Sequence, residues 1–394
     1  MSQQPTNLRP DVARLIEEGF EVSIEHQHLV MLNVPYVNAS GEIKRGTLIS
    51  PLEGSFETAA DRVSNHVIMF VGEYPCDHTG KPLNSIHNSS RDENIAGHWV
   101  INHRFSSKPR RGYYHDYHEK MSTYAAILSN QAAHIDPTAT PKTKRVVEMS
   151  DDAPFAYFDN ASTRAGISAV THKLTNLRIA IVGLGGTGSY LLDLIAKTPV
   201  ENIHLFDGDV LQQHNAFRAP GAPSLEVLAQ QPLKVEHFKS IYSNMHRRII
   251  AHSDYVTSEN IADLQGFDMV FLCMDDNQAK HQIIKALEGF DASFIDVGIG
   301  VNLVKDGLTA TIRTTTSIPN HRKHVHERKR IPAHPANENN EYNTNIQVSE
   351  LNMINAAMAV IQWKQLCGFY RDIEHELHSV FRVSDNHILS EDAA

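Results

Sequence analysis

A few glycines and a set of spaced charged side chains define the chemistry that this chain of 394 residues is equipped for. Gly183, Gly185 and Gly188 fit G-x-G-x-x-G. In such a turn the first glycine permits a tight bend and the second lets backbone N–H groups approach a phosphate. The third lets helix and strand pack closely. Asp207 ends the next apolar run, where a carboxylate can hydrogen-bond a ribose hydroxyl. That much describes any dinucleotide site, or a tight turn that binds nothing. Beyond it, Asp209, Asn215 and Arg218 share one loop with Asp207, and Lys234 opens the following helix. Asp275 closes another apolar run, DMVFLCM. Hydride transfer has no use for a second acid, an Asn and an Arg just past the ribose carboxylate. Displacement at a phosphorus atom does: two cations neutralise phosphates and one carboxylate holds a magnesium ion.

The elements that must position these groups read as an alternation. Residues 177–182 are a short Ile- and Val-rich run, the mark of a strand buried on both faces. A helix over 189–197 follows, its positive end toward the phosphates, and a strand over 203–206 delivers Asp207. Further expectations are a helix over 233–245, a strand from 248 toward 255, and a short helix to Leu264 capped by Ser258. A strand over 268–274 ends in Asp275 and Asp276, before a helix over 277–290. A strand over 293–297 then leads to hairpin strands at 301–304 and 308–314 about Lys305-Asp306-Gly307. Ser349 caps a helix to Leu366, and 380–383 adds an edge strand. The fold class is therefore α/β: a Rossmann-like, mostly parallel sheet with helices on both faces and an antiparallel extension. Residues 317–345 break the pattern. Their run HRKHVHERKR, with His321, His324 and His326, invites a metal, but a solvated basic loop is the better reading.

The first 150 residues look like a smaller, separate α+β domain, with 151–394 as the nucleotide-binding domain. Here the patterns predict a helix over 11–18 stopped by Gly19, and strands at 22–24, 29–35, 47–50, 66–71 and 99–105. A helix over 113–128 carries Tyr113, Tyr117, Tyr124 and Leu128 near one face, for core packing. Residues 133–152 read as a linker. The formal net charge of −10 argues against a nucleic-acid partner held through phosphates. The three cysteines, Cys76, Cys273 and Cys367, form no C-x-x-C pair, so neither a disulfide framework nor a cysteine-ligated zinc is supported. No signal-peptide core or membrane-length apolar run occurs, which points to a cytoplasmic protein without a membrane partner.

Together these motifs resemble the ThiF/MoeB/HesA superfamily, which includes the adenylation domains of ubiquitin-activating enzymes. The family pattern G-x-G-G-x-G-S is matched by Gly183, Gly185, Gly186, Gly188 and Ser189. Asp207-Gly-Asp209-Val210 follows, with Asn215 and Arg218 at the family spacings. The family's C-T-D-N strand end is similar to CysMetAspAsp at 273–276. Asp275 then matches the magnesium-binding Asp, Asp276 is the fallback if the register slips by one, and Lys280 is a basic position beyond. Lys234 resembles the phosphate-contacting Lys, although the loop before it is longer than usual. The likeness runs from about 155 to about 381.

The resemblance implies ATP and Mg2+ as cofactors and activation of the C-terminal carboxylate of a ubiquitin-like or sulfur-carrier protein. By it, Asp207 holds the ribose, Asn215, Arg218 and Lys234 bind the triphosphate, and Asp275 holds the metal. It also implies a homodimer in which an arginine upstream of the glycine strand reaches the partner's ATP. Arg164, in DNASTRAG, is the candidate, against a plain solvated helix arginine. Two departures stand out. The zinc-binding cysteine pairs of many members are missing, and the loop 317–345 lacks the thioester cysteine of ubiquitin-activating members. Cys273 and Cys367 read as core. Cys76 is the one plausibly exposed thiol, with His78 and Lys81 nearby to lower its pKa, and is an acceptor only if its domain resembles a conjugating enzyme. The N-terminal domain is expected to recruit the carrier or a conjugating partner. The rivals are an adenylating enzyme for tRNA or a peptide, and an inactive scaffold of the same fold.

Overall fold

The computed structural model describes residues 9–53, 62–95, 99–146, 149, 151–159, 161–162, 165, 167–332 and 346–393. The chain forms two compact units, Met1–Ala169 and Val170–Ala394.

In the first unit, helix α1 (Pro10–Glu17) leads into an antiparallel sheet of β1 (Glu21–Glu25), β2 (His28–Val37), β3 (Ile43–Pro51), β4 (Val67–Val71), β5 (His87–Ile95) and β6 (Trp99–Ser106), with spatial order β1-β2-β3-β4-β6-β5. Helix α2 (Tyr117–Ile135) closes the unit. It starts later than the sequence predicts because Asp116 accepts from the Glu119 N–H at 2.8 Å and caps it there. Tyr117, Tyr124 and Leu128 do enter the core, together with Leu29, Leu48, Phe70 and Phe105; Tyr113 lies before the helix. The expected linker is partly ordered against this unit. Helix α2 runs to Ile135, and Lys142 then pairs with Glu18 at 3.0 Å. Strand β5, HNSSRDENI, was not foreseen: it is polar up to its last residue, Ile95, because it lies at the sheet edge with both faces largely in solvent.

The second unit is an eight-stranded sheet. Its strands are β7 (Arg178–Val182), β8 (Asn202–Phe206), β9 (Ile249–His252), β10 (Met269–Leu272), β11 (Phe294–Val304), β12 (Gly307–Ser317), β13 (Glu376–Arg382) and β14 (His387–Ala393). The order is β14-β13-β12-β11-β10-β7-β8-β9, parallel from β9 to β11 and antiparallel beyond. Along β7, Ile179 and Ile181 enter the core on one face, Ala180 and Val182 that on the other. This two-sided burial is why the run is continuously apolar. The first face is covered by α3 (Gly186–Ile195), α6 (Lys234–Tyr242) and α9 (Ser349–Leu366), the other by α7 (Asn277–Gly289). Two short helices, α4 (Gln213–Ala216) and α5 (Leu225–Gln230), lie in the loop after β8. The predicted strand at 380–383 is longer and is not the edge, since β14 pairs outside it. Ser349 is the first residue of α9 rather than its cap, and its hydroxyl meets Tyr190 Oη at 2.5 Å.

The segment after β12 is less solvated than expected. Short helix α8 (Lys323–Glu327) buries Val325, and Ile331 joins the same core. Its basic residues are held by the chain's own acids: Asp392 takes Arg328 at 2.5 Å and Arg330 at 2.8 Å. His324 Nε2 bonds the Thr316 carbonyl at 3.0 Å and His326 bonds Glu288 at 2.8 Å. The rest of the predicted loop, 333–345, lies outside the described residues. Among the described residues no helix is long and apolar enough to cross a membrane.

Candidate active site

Strand β7 is followed in space by β8 and β9 on one side and β10 on the other. The crevice between the ends of β7 and β10 is thus the topological switch point, where open α/β sheets bind ligands. The pairing of Val182 with Leu272 brings the glycine turn and the Cys273–Asp276 stretch to one edge.

Gly183 has φ +91, and a Cβ there would meet the Cys273 backbone at 3.0 Å. A Cβ on Gly188 would stand 1.9 Å from the Gly183 carbonyl oxygen, so only glycine lets α3 approach β7 this closely. Helix α3 begins at Gly186, three residues earlier than the sequence predicts, and takes Gly186 and Gly188 into its first turn. A Cβ on Gly185 would meet nothing within 4 Å. An open cradle therefore faces the helix start, where free N–H groups favour an anion. Ser189 turns inward, its hydroxyl on the carbonyls of Gly185 at 2.7 Å and Gly186 at 2.8 Å.

Asp207, 6% exposed, ties the two sequence motifs together. It accepts from the Leu184 N–H at 2.6 Å and the Asp209 N–H at 2.8 Å. Burial raises its pKa, opposed by the Lys234 charge. Lys234, itself buried, reaches Asp209 at 2.6 Å and Asp207 at 3.8 Å. The long loop before Lys234 does not displace it because its neck is closed like a hairpin. Leu211 N–H bonds Pro232 O at 2.7 Å and Lys234 N–H bonds Asp209 O at 2.9 Å. Burial works to raise the pKa of Asp209, but hydrogen bonds from Lys234 and Tyr255 hold it below the usual carboxylate range. Tyr255 was not foreseen. Its ring lies 2.9 Å from where a Gly208 Cβ would stand, and its phenol, pushed up to about 12 by the Asp209 bond, donates to that carboxylate.

Asn215 is buried, and its Oδ1 accepts from the Gln212 N–H at 2.9 Å in a reciprocal capping box. It thereby fixes α4, and the Arg218 N–H closes onto the Asn215 carbonyl at 3.1 Å. The buried Nε of Arg218 has no hydrogen-bond partner among the described residues. A buried guanidinium nitrogen left in that condition fits an anionic ligand.

The two carboxylates after β10 separate by role. Asp276 caps α7, accepting from Gln278 N–H at 2.9 Å and Ala279 N–H at 3.0 Å. Asp275, exposed one residue earlier, is not that cap. Lys280 is not at the rim: it is buried, 2.9 Å from Asp296, which Arg313 holds from the other side at 2.5 Å. Nothing in the sequence ties Lys280 to Asp296 and Arg313, since the three sit on α7, β11 and β12. Among the described residues no group of three or more His, Cys, Asp or Glu is placed to hold a metal. Magnesium bound beside phosphates needs only one or two carboxylates, so Asp275 fits that use. Arg164 lies outside the described residues.

The reading of Cys76 needs correction, whereas Cys273 and Cys367 pack against the core as expected. Cys76 is 1% exposed, and burial, then the Asp77 charge, push its thiol up rather than down. Its backbone bridges Val37 on one side and Pro82 on the other. Cys273 lies one residue past β10 rather than inside it, and burial raises its pKa. Cys367 caps the end of α9, its pKa pushed up to about 11 by burial. None is an activated thiolate.

Residues 10–160 match a family described as a domain of unknown function (DUF6791). Among curated proteins, the chain is similar to the ubiquitin-like modifier-activating enzyme 5 of Mus musculus, 23% identical over 41% of this chain and 43% of that protein. It is 25% identical to that of Dictyostelium discoideum, over 42% of this chain and 47% of the other. The chain thus spans less than half the length of these relatives. Among solved structures, E. coli MccB aligns with 60% of this chain and 68% of its own, at 15% identity and TM-score 0.45. PaaA aligns with 57% and 76%, at 16% identity and TM-score 0.44. Residues 159–382, over half of the sequence, match the profile of the ThiF family; with the glycine turn, the Asp207 loop and the doubly covered sheet in place, the chain belongs to the ThiF family.

Proposed function

We propose that the second unit is an ATP-dependent adenylyltransferase that activates the C-terminal carboxylate of a ubiquitin-like or sulfur-carrier protein. The observation that carries this reading is the convergence of buried Lys234 and half-buried Arg218, its Nε unspent, on the acidic loop beside an open glycine turn. Two cations so placed suit a triphosphate better than the single pyrophosphate of a nicotinamide cofactor. In the proposed reaction a carboxylate oxygen attacks the α-phosphorus of ATP. A C(O)O–P bond forms, the bond to the bridging α–β oxygen breaks, and pyrophosphate leaves with its electron pair. Asp207 holds the ribose, while Arg218 and Lys234 neutralise charge on the phosphates. Asn215 acts through α4, which it caps. Asp275 would hold Mg2+, which would supply positive charge to the phosphates. Lys234 is held by Asp209 at 2.6 Å, so the triphosphate must replace that carboxylate as its counter-ion.

The enzyme works as a homodimer with Arg164 completing the partner's site, and the first unit recruits the carrier or a conjugating partner. With burial raising the pKa of all three thiols, the adenylate passes to an acceptor on another protein. Calorimetry with Mg-ATP and with NAD, followed by ATP–pyrophosphate exchange with candidate carriers, tests the reading. Mg-ATP binds more tightly, and exchange depends on a carrier. Tighter binding of NAD overturns the adenylation reading; Mg-ATP binding with no exchange for any carrier, peptide or tRNA favours the scaffold.

A further inference from the structure

Helix α9 carries a buried amide that nothing in its own element explains. Asn352 is 1% exposed in the first turns of α9, where alanine or leucine would suit a helix better. Burying an amide is unfavourable unless its hydrogen bonds are made. Two are made to other segments and one to the N-cap of its own helix. Its Oδ1 accepts from the Thr187 hydroxyl at 2.9 Å, on the glycine turn. Its Nδ2 donates to the Arg218 carbonyl at 3.4 Å and to the Val348 carbonyl at 3.2 Å, the latter at the end of the segment that enters α9. The fit is tight, since a Cβ on Gly186 would stand 2.2 Å from Nδ2. One turn away Tyr190 and Ser349 share a second bond between the same two helices, at 2.5 Å.

We infer that Asn352 is a positioning residue for the phosphates of the nucleotide. It locks the open glycine turn to the Arg218 loop, so that backbone N–H groups and guanidinium stand in one preset arrangement. The pairing of β7 with β8 fixes only the roots of these two segments; the glycine turn runs on into α3 and Arg218 lies beyond α4, and that pairing does not join their far ends. The amide supplies that missing link. Asn352 also holds the carbonyl of Val348, the N-cap of α9, so the start of the helix is part of the same device. The inference rests on the nucleotide reading above and adds to it the residue that sets phosphate geometry without touching the nucleotide.

The test compares affinities for Mg-ATP and for adenosine, which keeps the Asp207 contact but has no phosphate. Loss of the link is expected to weaken Mg-ATP about tenfold in Asn352→Ala, the scale of one or two hydrogen bonds, with adenosine unchanged. Thr187→Val, which removes one bond of the link, weakens Mg-ATP less. The double variant is no worse than Asn352→Ala alone, because both act through one contact. Unfolding temperatures are measured alongside. Equal weakening of both ligands, with a lowered unfolding temperature, would make Asn352 merely structural and overturn the inference, as would unchanged Mg-ATP affinity. A wild-type protein that binds no Mg-ATP would sink the nucleotide reading itself, a different result from either.

Discussion

Two adjacent carboxylates illustrate how a single residue's role is decided by its neighbours' backbone. Asp276 spends an oxygen on two N–H groups at the start of α7, at 2.9 and 3.0 Å. Asp275 sits one residue outside the helix cap and is exposed. Removing the cap in Asp276→Ala is expected to lower stability by about 1 kcal/mol, with pyrophosphate exchange retained. Asp275→Ala is expected to cut exchange by about a hundredfold or more while leaving the unfolding midpoint nearly unchanged. Exchange lost in the first variant and kept in the second would reverse the assignment. Sequence alone leaves these two open, because a one-residue slip of the strand end swaps them.

At the scale of the element, α2 holds a test of how the first unit tolerates charge. Lys120 is fully buried among Tyr117, Met121 and Tyr124, its Nζ donating to the Ser50 hydroxyl at 2.9 Å. Burial lowers its pKa from 10.5 to about 8. The folded value lies below the unfolded one, so between those pH values the unfolded chain binds more protons. Stability contributed through this residue therefore rises from about pH 8 to about 10.5, and below pH 8 the full penalty is present. The shift corresponds to a penalty of order 3 kcal/mol at neutral pH, before any relaxation of the site. Lys120→Met is expected to stabilise the unit by about 1–3 kcal/mol at pH 7, with the gain shrinking as pH approaches 10. Hydrogen exchange of the α2 amides in the full chain reads both. A loss of protection at pH 7 would show that the ammonium is satisfied where it stands.

For the whole molecule the open question is whether one chain holds a complete site. Arg164 precedes the ThiF-type unit's first strand in sequence, and the proposed dimer has it serve the partner's phosphates. Arg164→Ala and Asp275→Ala are then each inactive in exchange. Their mixture regains up to about a quarter of wild-type activity, since random pairing makes half the dimers mixed and each mixed dimer has one intact site of two. The pairing is verified by a tagged pull-down. No recovery despite confirmed mixing would remove Arg164 from the site.

The sheet's central alternation and the glycine turn with its Asp207 loop were legible in the residues alone. Both rest on local rules: apolar runs for doubly covered strands, and glycines where a turn needs φ +91 at Gly183 or a Cβ would collide at Gly188. Only the tertiary structure decided which polar groups are already spent. Ser189 bonds its own turn, Asn215 a helix cap and Asp276 another, while Lys280 is buried against Asp296. The burial of Cys76, whose backbone bridges Val37 from a distant strand, likewise could not be read from His78 or Lys81 near it in sequence. Tyr255 and Asn352 were invisible because each meets the site across 46 residues or more of chain. Motif spacing records local backbone needs, whereas hydrogen bonds between distant segments form only when the packed sheet and helices bring them within 3 Å or so.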